Sequence, residues 1–455
     1  MKLFSKHLFY CLIILLSACS KNKYDTTDGE SVFNISSKLY TDPMLYGSEI
    51  VVPELSKINC SAKSDFDFTN QHTNHNYNGN FTLHRIAKLG LFSFKNDMNF
   101  QNGVVICDQN LYYITNNGDV MAYKIDGEKI VKNWIKNINT KSNEKSTFLN
   151  GSIAYSQKQN VLYVTTNNGK VAALNGANGS VIWVRKFNDS FTSSITFNND
   201  HKIGFITSNS DAIMAFDLTN GNTIWEKKSL DINVVTSNIV APIARYDDDH
   251  IIATLANGEV LMLRQKDGSQ KWRYKIINDR VSGNIVNIGD IDFAPLVTKE
   301  IVVVGGIRSS IIGINAENGI PIWQIKSTLN SNFLHNGHHF GFFLNADGSV
   351  VAFDIRSGKI KWIYDKLSPV FRKEVPAYTN EGSSNFIKKI NRFYPIMING
   401  SIFINDELAN MYEFELNNGE LLQIYKTTYG VSSVPIVQED AIFLLDDFNN
   451  LYRMK

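Results

Sequence analysis

The feature that most constrains this chain is a unit repeated along it, in which a glycine stands four residues before a tryptophan. Val171-Ala172-Ala173-Leu174 leads to Gly179 and Trp183, Met214-Ala215-Phe216-Asp217 to Gly221 and Trp225, and Leu261-Met262-Leu263 to Gly268 and Trp272. Residues 311–315 lead to Gly319 and Trp323, and 350–354 to Gly358 and Trp362. Successive tryptophans are 42, 47, 51 and 39 residues apart. Looser copies hold Gly127 with Trp134, and Gly419 without a tryptophan, so all six tryptophans belong to the repeat. Within a unit, apolar runs are split by Asn-Gly pairs, as at Asn168-Gly169 and Asn178-Gly179. Such pairs between alternating runs are the strongest short hairpin signal. Four short strands per repeat of about 40–50 residues predict an all-β chain, a β-propeller with four-stranded antiparallel blades.

A blade is a sheet whose two faces both need cover, so a ring buries what one blade cannot. The repeated tryptophan is expected to pack between blades, contributing about 1.5–3 kcal/mol each. Seven units carry the turn glycine, at 127, 179, 221, 268, 319, 358 and 419. An eighth, 434–454, supplies at most three strands. The fourth is expected from 81–89, an N-terminal strand closing the last blade, giving eight blades; seven with a trailing extension is the alternative. Pro242, Pro295, Pro395 and Pro435 each stand at the front of a blade-opening run. That suits an innermost strand with one unpaired edge, because proline cannot donate to a ladder.

Composition fits one large folded ring. The 455 residues carry 45 basic and 44 acidic side chains. That near-neutral balance argues against a nucleic-acid binder, which shows a basic excess or stripe. The start of the chain fixes the expected compartment. Lys2, Lys6 and His7 precede the apolar run 8–16, and Leu16-Ser17-Ala18-Cys19 follows. This is the layout of a signal peptide, too short to span a bilayer as a stop-transfer helix. It resembles lipoprotein signal peptides, which implies acylation of Cys19; ordinary secretion is the alternative. Ser20 is not the aspartate of an inner-membrane retention signal, so the resemblance implies the outer membrane, periplasmic side. The expected organisation is leader 1–18, lipidated tether 19–80 and propeller 81–455. Cys60 and Cys107 then remain as a pair in an oxidising compartment. They form either a bridge or two separate buried thiols.

The repeat itself, a strand ending in Leu/Phe-Asp/Asn followed by a glycine turn and Gly-x-x-x-Trp, resembles the pyrroloquinoline-quinone-type propeller repeat. With the lipobox and eight blades, the chain resembles the BamB family of outer-membrane assembly lipoproteins. That resemblance implies a scaffold of the β-barrel assembly machinery, without enzymatic activity or cofactor. It implies contact with a BamA-like subunit; exposed blade edges offer, as a weaker expectation, strand addition to unfolded outer-membrane proteins. Its sharpest local match is Gly289-Asp290-Ile291-Asp292-Phe293-Ala294-Pro295, similar to the family's Asp-x-Asp-x-x-Pro at a partner-contacting blade entry. Asp290 and Asp292 are therefore candidate partner-binding residues; capping of their own loop is the competing role. The family's other contact segment carries an arginine, and 234–239 here has none. An insertion at 367–389 also departs from the pattern.

The rival from another class is a quinoprotein-type, pyrroloquinoline-quinone-dependent periplasmic oxidoreductase, which shares the repeat. Such enzymes resemble longer chains with adjacent cysteines, and no Cys-Cys occurs here. Asp247-Asp248-Asp249-His250 has ligand atoms for a cation but lies between two strand cues and reads as a solvated turn. His335, His338 and His339 read as part of a polar hairpin loop.

Overall fold

The computed structural model describes residues 39–46, 49–50, 83–88, 104–115, 118–127, 129–138, 151–229, 240–276, 291, 293–307, 309–336, 338–365, 367, 372–379, 382–389, 393–406, 409–426, 435–438, 441–446 and 450–454. All lie within one unit, Ser36–Lys455. Among them are eight four-stranded antiparallel sheets, the blades of a propeller. Blades 1 to 7 take their four strands in chain order from 104–137, 151–186, 196–228, 244–275, 296–325, 334–364 and 393–426. Blade 8 is composite. Its strands Ile436–Gln438, Ala441–Leu445 and Asn450–Met454 are completed by Leu83–Lys88, which pairs antiparallel with Asn450–Met454. The expected closing strand is therefore present, two residues shorter at its start and one at its end than 81–89.

Closure is also visible in the cores. Each runs between blades, not within one. Val105 and Tyr112 of blade 1 pack with Ile153 and Leu162 of blade 2. At the seam, Val104, Ile106 and Leu111 of blade 1 pack with Phe443, Leu445 and Leu451 of blade 8. Proline follows its physics. Pro295 immediately precedes the first strand of blade 5, Leu296–Val297, and Pro395 lies in the first strand of blade 7, Phe393–Ile398. Each of these strands has one neighbour in its sheet, so a missing donor leaves no ladder bond broken.

The tryptophan joins each blade to the next. The indole N–H of Trp134, Trp183, Trp225, Trp272, Trp323 and Trp362 donates to the carbonyl of Gly176, Leu218, Gln265, Ala316, Ile355 and Leu416 respectively, at 2.8–3.0 Å. Every acceptor belongs to the following blade, one residue beyond its third strand. The repeat glycine completes the contact. The spacing suggests a glycine serving the tryptophan four residues later, but each one lies against the tryptophan of the preceding blade. A Cβ at Gly179, Gly221, Gly268, Gly319, Gly358 or Gly419 would come within 3.0 Å of Trp134, Trp183, Trp225, Trp272, Trp323 or Trp362. These glycines also have φ between +67° and +75°, where a Cβ is costly. Gly127 is the informative exception. Blade 8 has no tryptophan, and a Cβ at Gly127 would meet nothing within 4 Å. Across that seam the Arg453 guanidinium donates instead to the Gly127 carbonyl at 2.6 Å.

Two features lie outside the ring pattern. The 367–389 insertion forms a hairpin, Arg372–Thr379 with Gly382–Lys389. Part of the stretch expected as tether is docked: Thr41 bridges Ile360 of the outermost strand of blade 6 in parallel. Asp42 pairs with Lys359 at 2.9 Å, the Lys361 ammonium donates to the Leu45 carbonyl at 3.0 Å, and Ile50 is buried between blades 6 and 7. Among the described residues no helix is long and apolar enough to cross a membrane.

The glycine contacts predict a graded series. Gly127→Ala should cost only the left-handed strain, about 1–2 kcal/mol. Gly179→Ala should add the displacement of Trp134, about 1–3 kcal/mol more. Urea denaturation of both variants checks this, and equal losses would contradict the stacking role. Deleting 20–78 should leave the ring closed, whereas deleting 20–89 bares the Asn450–Met454 edge and should lower the melting temperature by several further degrees. Indistinguishable melting curves would show that Leu83–Lys88 is dispensable.

Candidate functional site

The loops that could meet a partner are those entering blades 4 and 5, because both are long and the second carries the Asp-x-Asp-x-x-Pro match. Asp290 and Asp292 themselves lie outside the described residues, as does 230–239. Their flanks are placed. Ile291 is buried in the core shared by blades 4, 5 and 6, with Phe293 packed against it. The Ala294 N–H donates to Asn332 Oδ1 at 3.3 Å. On the other flank Ile276 is buried and its N–H donates to the Gly258 carbonyl at 2.9 Å. The loop is thus held at one root by the blade 4 turn and at the other by the shared core and the connection between blades 5 and 6.

The root of the preceding loop is held by a residue that the sequence reading passed over. Turns between second and third strands place a glycine just before the third strand: Gly118, Gly169, Gly258 and Gly348, at φ +79° to +87°. Blade 3 has Asp211 there, at φ +59°. A non-glycine residue in this region carries a strain of about 1–2 kcal/mol, less for aspartate than for most. The gain is a bridge between blades. Asp211 is buried, and its carboxylate accepts from the Ala256 N–H at 3.0 Å and the Asn257 N–H at 3.3 Å, both in the blade 4 turn. Asn257 Nδ2 in turn donates to Ser229 Oγ at 2.8 Å, where the loop into blade 4 begins. Glu259, two residues on, is paired with Arg273. The signal was available in the sequence as an aspartate standing where four aligned turns have glycine and blade 7 has Ala409, also at positive φ.

Burial raises the Asp211 carboxyl above its ordinary range, and the two backbone N–H bonds pull it down less strongly. A second recurrent device lies in blades 7 and 8. Asp406 accepts from the Asn410 N–H, Asn410 Nδ2 and the Tyr412 hydroxyl at 2.9, 2.7 and 3.0 Å. Asp446 does the same with Asn450 and Tyr452, at 2.8, 2.8 and 3.0 Å. These carboxylates rigidify turns; the shared spacing Asp-x-x-x-Asn-x-Tyr is legible once the units are aligned.

The other sequence candidates separate. Asp247 Oδ1 accepts from the N–H groups of Asp249 and His250 at 2.8 and 2.6 Å, so this acidic tract caps its own turn. His335 is buried, whereas His338 and His339 are exposed on the following turn. Among the described residues no group of three or more His, Cys, Asp or Glu side chains is placed to hold a metal ion. Cys107 is buried and disulfide-bonded; Cys19 and Cys60 lie outside the described residues.

The family model described as outer membrane protein assembly factor BamB matches residues 116–364 and 295–382, more than half of the chain. The chain belongs to the BamB family. Over 198 residues it is 20% identical to BamB of Legionella pneumophila, covering 44% of this chain and 46% of that one. Over 276 residues it is 24% identical to an uncharacterized protein of Rickettsia conorii, covering 60% and 64%. It thus spans less than two thirds of either relative. The crystal structure of BamB from Moraxella catarrhalis superposes with a TM-score of 0.63 at 17% identity, over 82% of this chain and 100% of that one. A europium-containing methanol dehydrogenase superposes at 0.57 with 11% identity, over 85% and 89%. At such identities both structures share the fold alone.

The Asp211 bridge has a pH signature. A carboxyl raised on folding holds its proton more tightly in the native state. Its contribution is therefore full below the unfolded-chain value and lost as pH rises through the folded one. Asp211→Asn should remove that falling limb from the stability-against-pH curve while keeping one acceptor. Parallel curves for both proteins would show that Asp211 does not titrate with folding.

Proposed function

We propose that this chain is an outer-membrane-anchored, periplasmic scaffold lipoprotein of the β-barrel assembly machinery, binding a BamA-like subunit and assisting assembly and insertion of outer-membrane β-barrel proteins. Lipid on Cys19 tethers it, and a Cys60–Cys107 bridge ties the N-terminal stretch to blade 1. The observation that carries the reading is the rim of blades 3 to 5. There the roots of two long connecting segments are fixed by Asp211, Asn257, Ile276 and Ile291. A partner meeting loops already fixed at their base loses less entropy on docking. Asp290 and Asp292, on either side of the buried Ile291, are the residues assigned to that contact. Family membership supports the role, and the Moraxella catarrhalis likeness supports the scaffold.

Detergent-solubilised pull-down with mass spectrometry tests it. The chain should recover a barrel-assembly subunit, and the double variant Asp290→Ala, Asp292→Ala should lose it by tenfold or more with an unchanged melting temperature (about 1.4 kcal/mol per tenfold). Recovery of no such subunit would refute the reading. The fold shared with a methanol dehydrogenase gives the oxidoreductase reading its own readout: a quinone absorbance in the purified protein would favour it.

A further inference from the structure

The outermost strands of blades 1 to 3, Lys129–Asn137, Val181–Lys186 and Thr223–Lys228, follow one another around the circumference with a charge the whole chain lacks. They hold seven basic residues, Lys129, Lys132, Lys136, Arg185, Lys186, Lys227 and Lys228, against one acid, Glu226. The chain as a whole has 45 against 44. Between the cations stand Val131, Ile135, Val181, Ile182 and Ile224, each 41–57% exposed. Lys228 meets Glu226 at 3.4 Å and Arg185 donates to Asn222 Oδ1 at 3.2 Å. Lys129, Lys132, Lys136 and Lys227 make no ion pair among the described residues.

Lysine on an edge strand also blocks unwanted strand pairing. That role would place it on every open edge. Pro321–Ile325 of blade 5 and Leu421–Lys426 of blade 7 are equally open, with Ile322 50% and Leu422 52% exposed, yet they hold no basic residue and one. The blade 4 edge, Gln270–Lys275, also holds Lys271, Arg273 and Lys275 and no acid, but Arg273 pairs with Glu259 and the strand has no aliphatic side chain. Cations together with exposed aliphatic groups run along blades 1 to 3, and edge protection does not call for the aliphatic half. The blade 6 edge, four blades from blade 2, is met by Thr41, Asp42 and Leu45, so this docked part of the N-terminal stretch sits away from the arc.

Cations interleaved with exposed aliphatic side chains, almost without acids, are the composition of a surface that lies in a lipid interface. The aliphatic groups enter the boundary of headgroups and acyl chains, and the ammonium groups meet phosphate. A polyanion in solution would use the lysines and leave Val131 and Ile182 in water. We propose that the outer arc of blades 1 to 3 is a bilayer-contacting face whose occupant is a surface of anionic phospholipid. The arc acts beside any lipid on Cys19 and independently of a barrel-assembly partner.

The full chain carrying Cys19→Ala, with no acyl chain at that site, is sedimented with vesicles of phosphatidylglycerol and phosphatidylcholine, and with phosphatidylcholine alone. The leader is common to every sample, so only differences are read. Binding to the anionic vesicles should be about tenfold tighter or more and should weaken as salt rises. Lys129→Gln, Lys132→Gln, Lys136→Gln and Lys227→Gln together should remove that preference. Ile182→Ser with Ile224→Ser should weaken binding severalfold, and both variants should keep the parent melting temperature. Equal binding to the two vesicle types, or an unaltered preference in the lysine variant, overturns the proposal. So does retention on heparin unaffected by the isoleucine changes with no vesicle preference, which would assign the arc to a soluble polyanion.

Discussion

The hydrogen bond from each indole N–H to a carbonyl of the next blade is the contact on which the rest of this ring depends. A tryptophan between two blades brings a large apolar area and one donor that must be satisfied when buried. The acceptor lies where the third strand ends and the turn begins, so docking the ring also places the turn. The turn then needs a residue that tolerates a positive φ and offers no Cβ to the indole. Glycine alone satisfies both, which is why Gly179 to Gly419 are all glycine while Gly127, facing no tryptophan, needs only the first property. The ring can close only where the pattern stops, and there Arg453 and the strand Leu83–Lys88 take over.

A scaffold built this way is stiff between blades and free to vary in its loops. The side chains that set the candidate partner surface are consequently structural in kind. Asp211 spends backbone strain to fix the blade 4 turn, and Ile291 is buried so that the residues beside it have a defined base. Under the proposed function, this rim is the surface on which an outer-membrane assembly subunit would dock. The basic arc of blades 1 to 3 lies on the circumference and can serve a bilayer at the same time.

Much of the fold was legible because the repeat encodes it locally. Asn-Gly pairs mark hairpins, proline marks the unpaired inner edge, and counting turn glycines leaves blade 8 one strand short. The direction of the Gly–Trp pairing was not legible. Four residues separate Gly221 from Trp225 in sequence, but the glycine lies on Trp183, one blade back. Spacing within a unit cannot say which neighbour a face meets. The docking of 39–50 escaped for a related reason: a polar stretch with a single short apolar run gives no periodicity to read. Of the candidate site, the Asp-x-Asp-x-x-Pro match falls at the entry to blade 5 with Asp290 and Asp292 outside the described residues, while Asp211 emerged only from comparing turn against turn.

The amino-acid sequence by itself determined the unit, the number of units and the strand that completes the last one, because hairpin chemistry and hydrophobic alternation act over a few residues. Its net charge, nearly zero, hid the basic arc entirely. Only the tertiary structure brings Lys132, Arg185 and Lys227 onto one side of the ring, since the outermost strands of adjacent blades are about 45 residues apart in the chain and neighbours in space. It likewise decided which glycine receives which tryptophan and which edge the N-terminal stretch meets, because those choices are made between units, where sequence distance carries no information about contact.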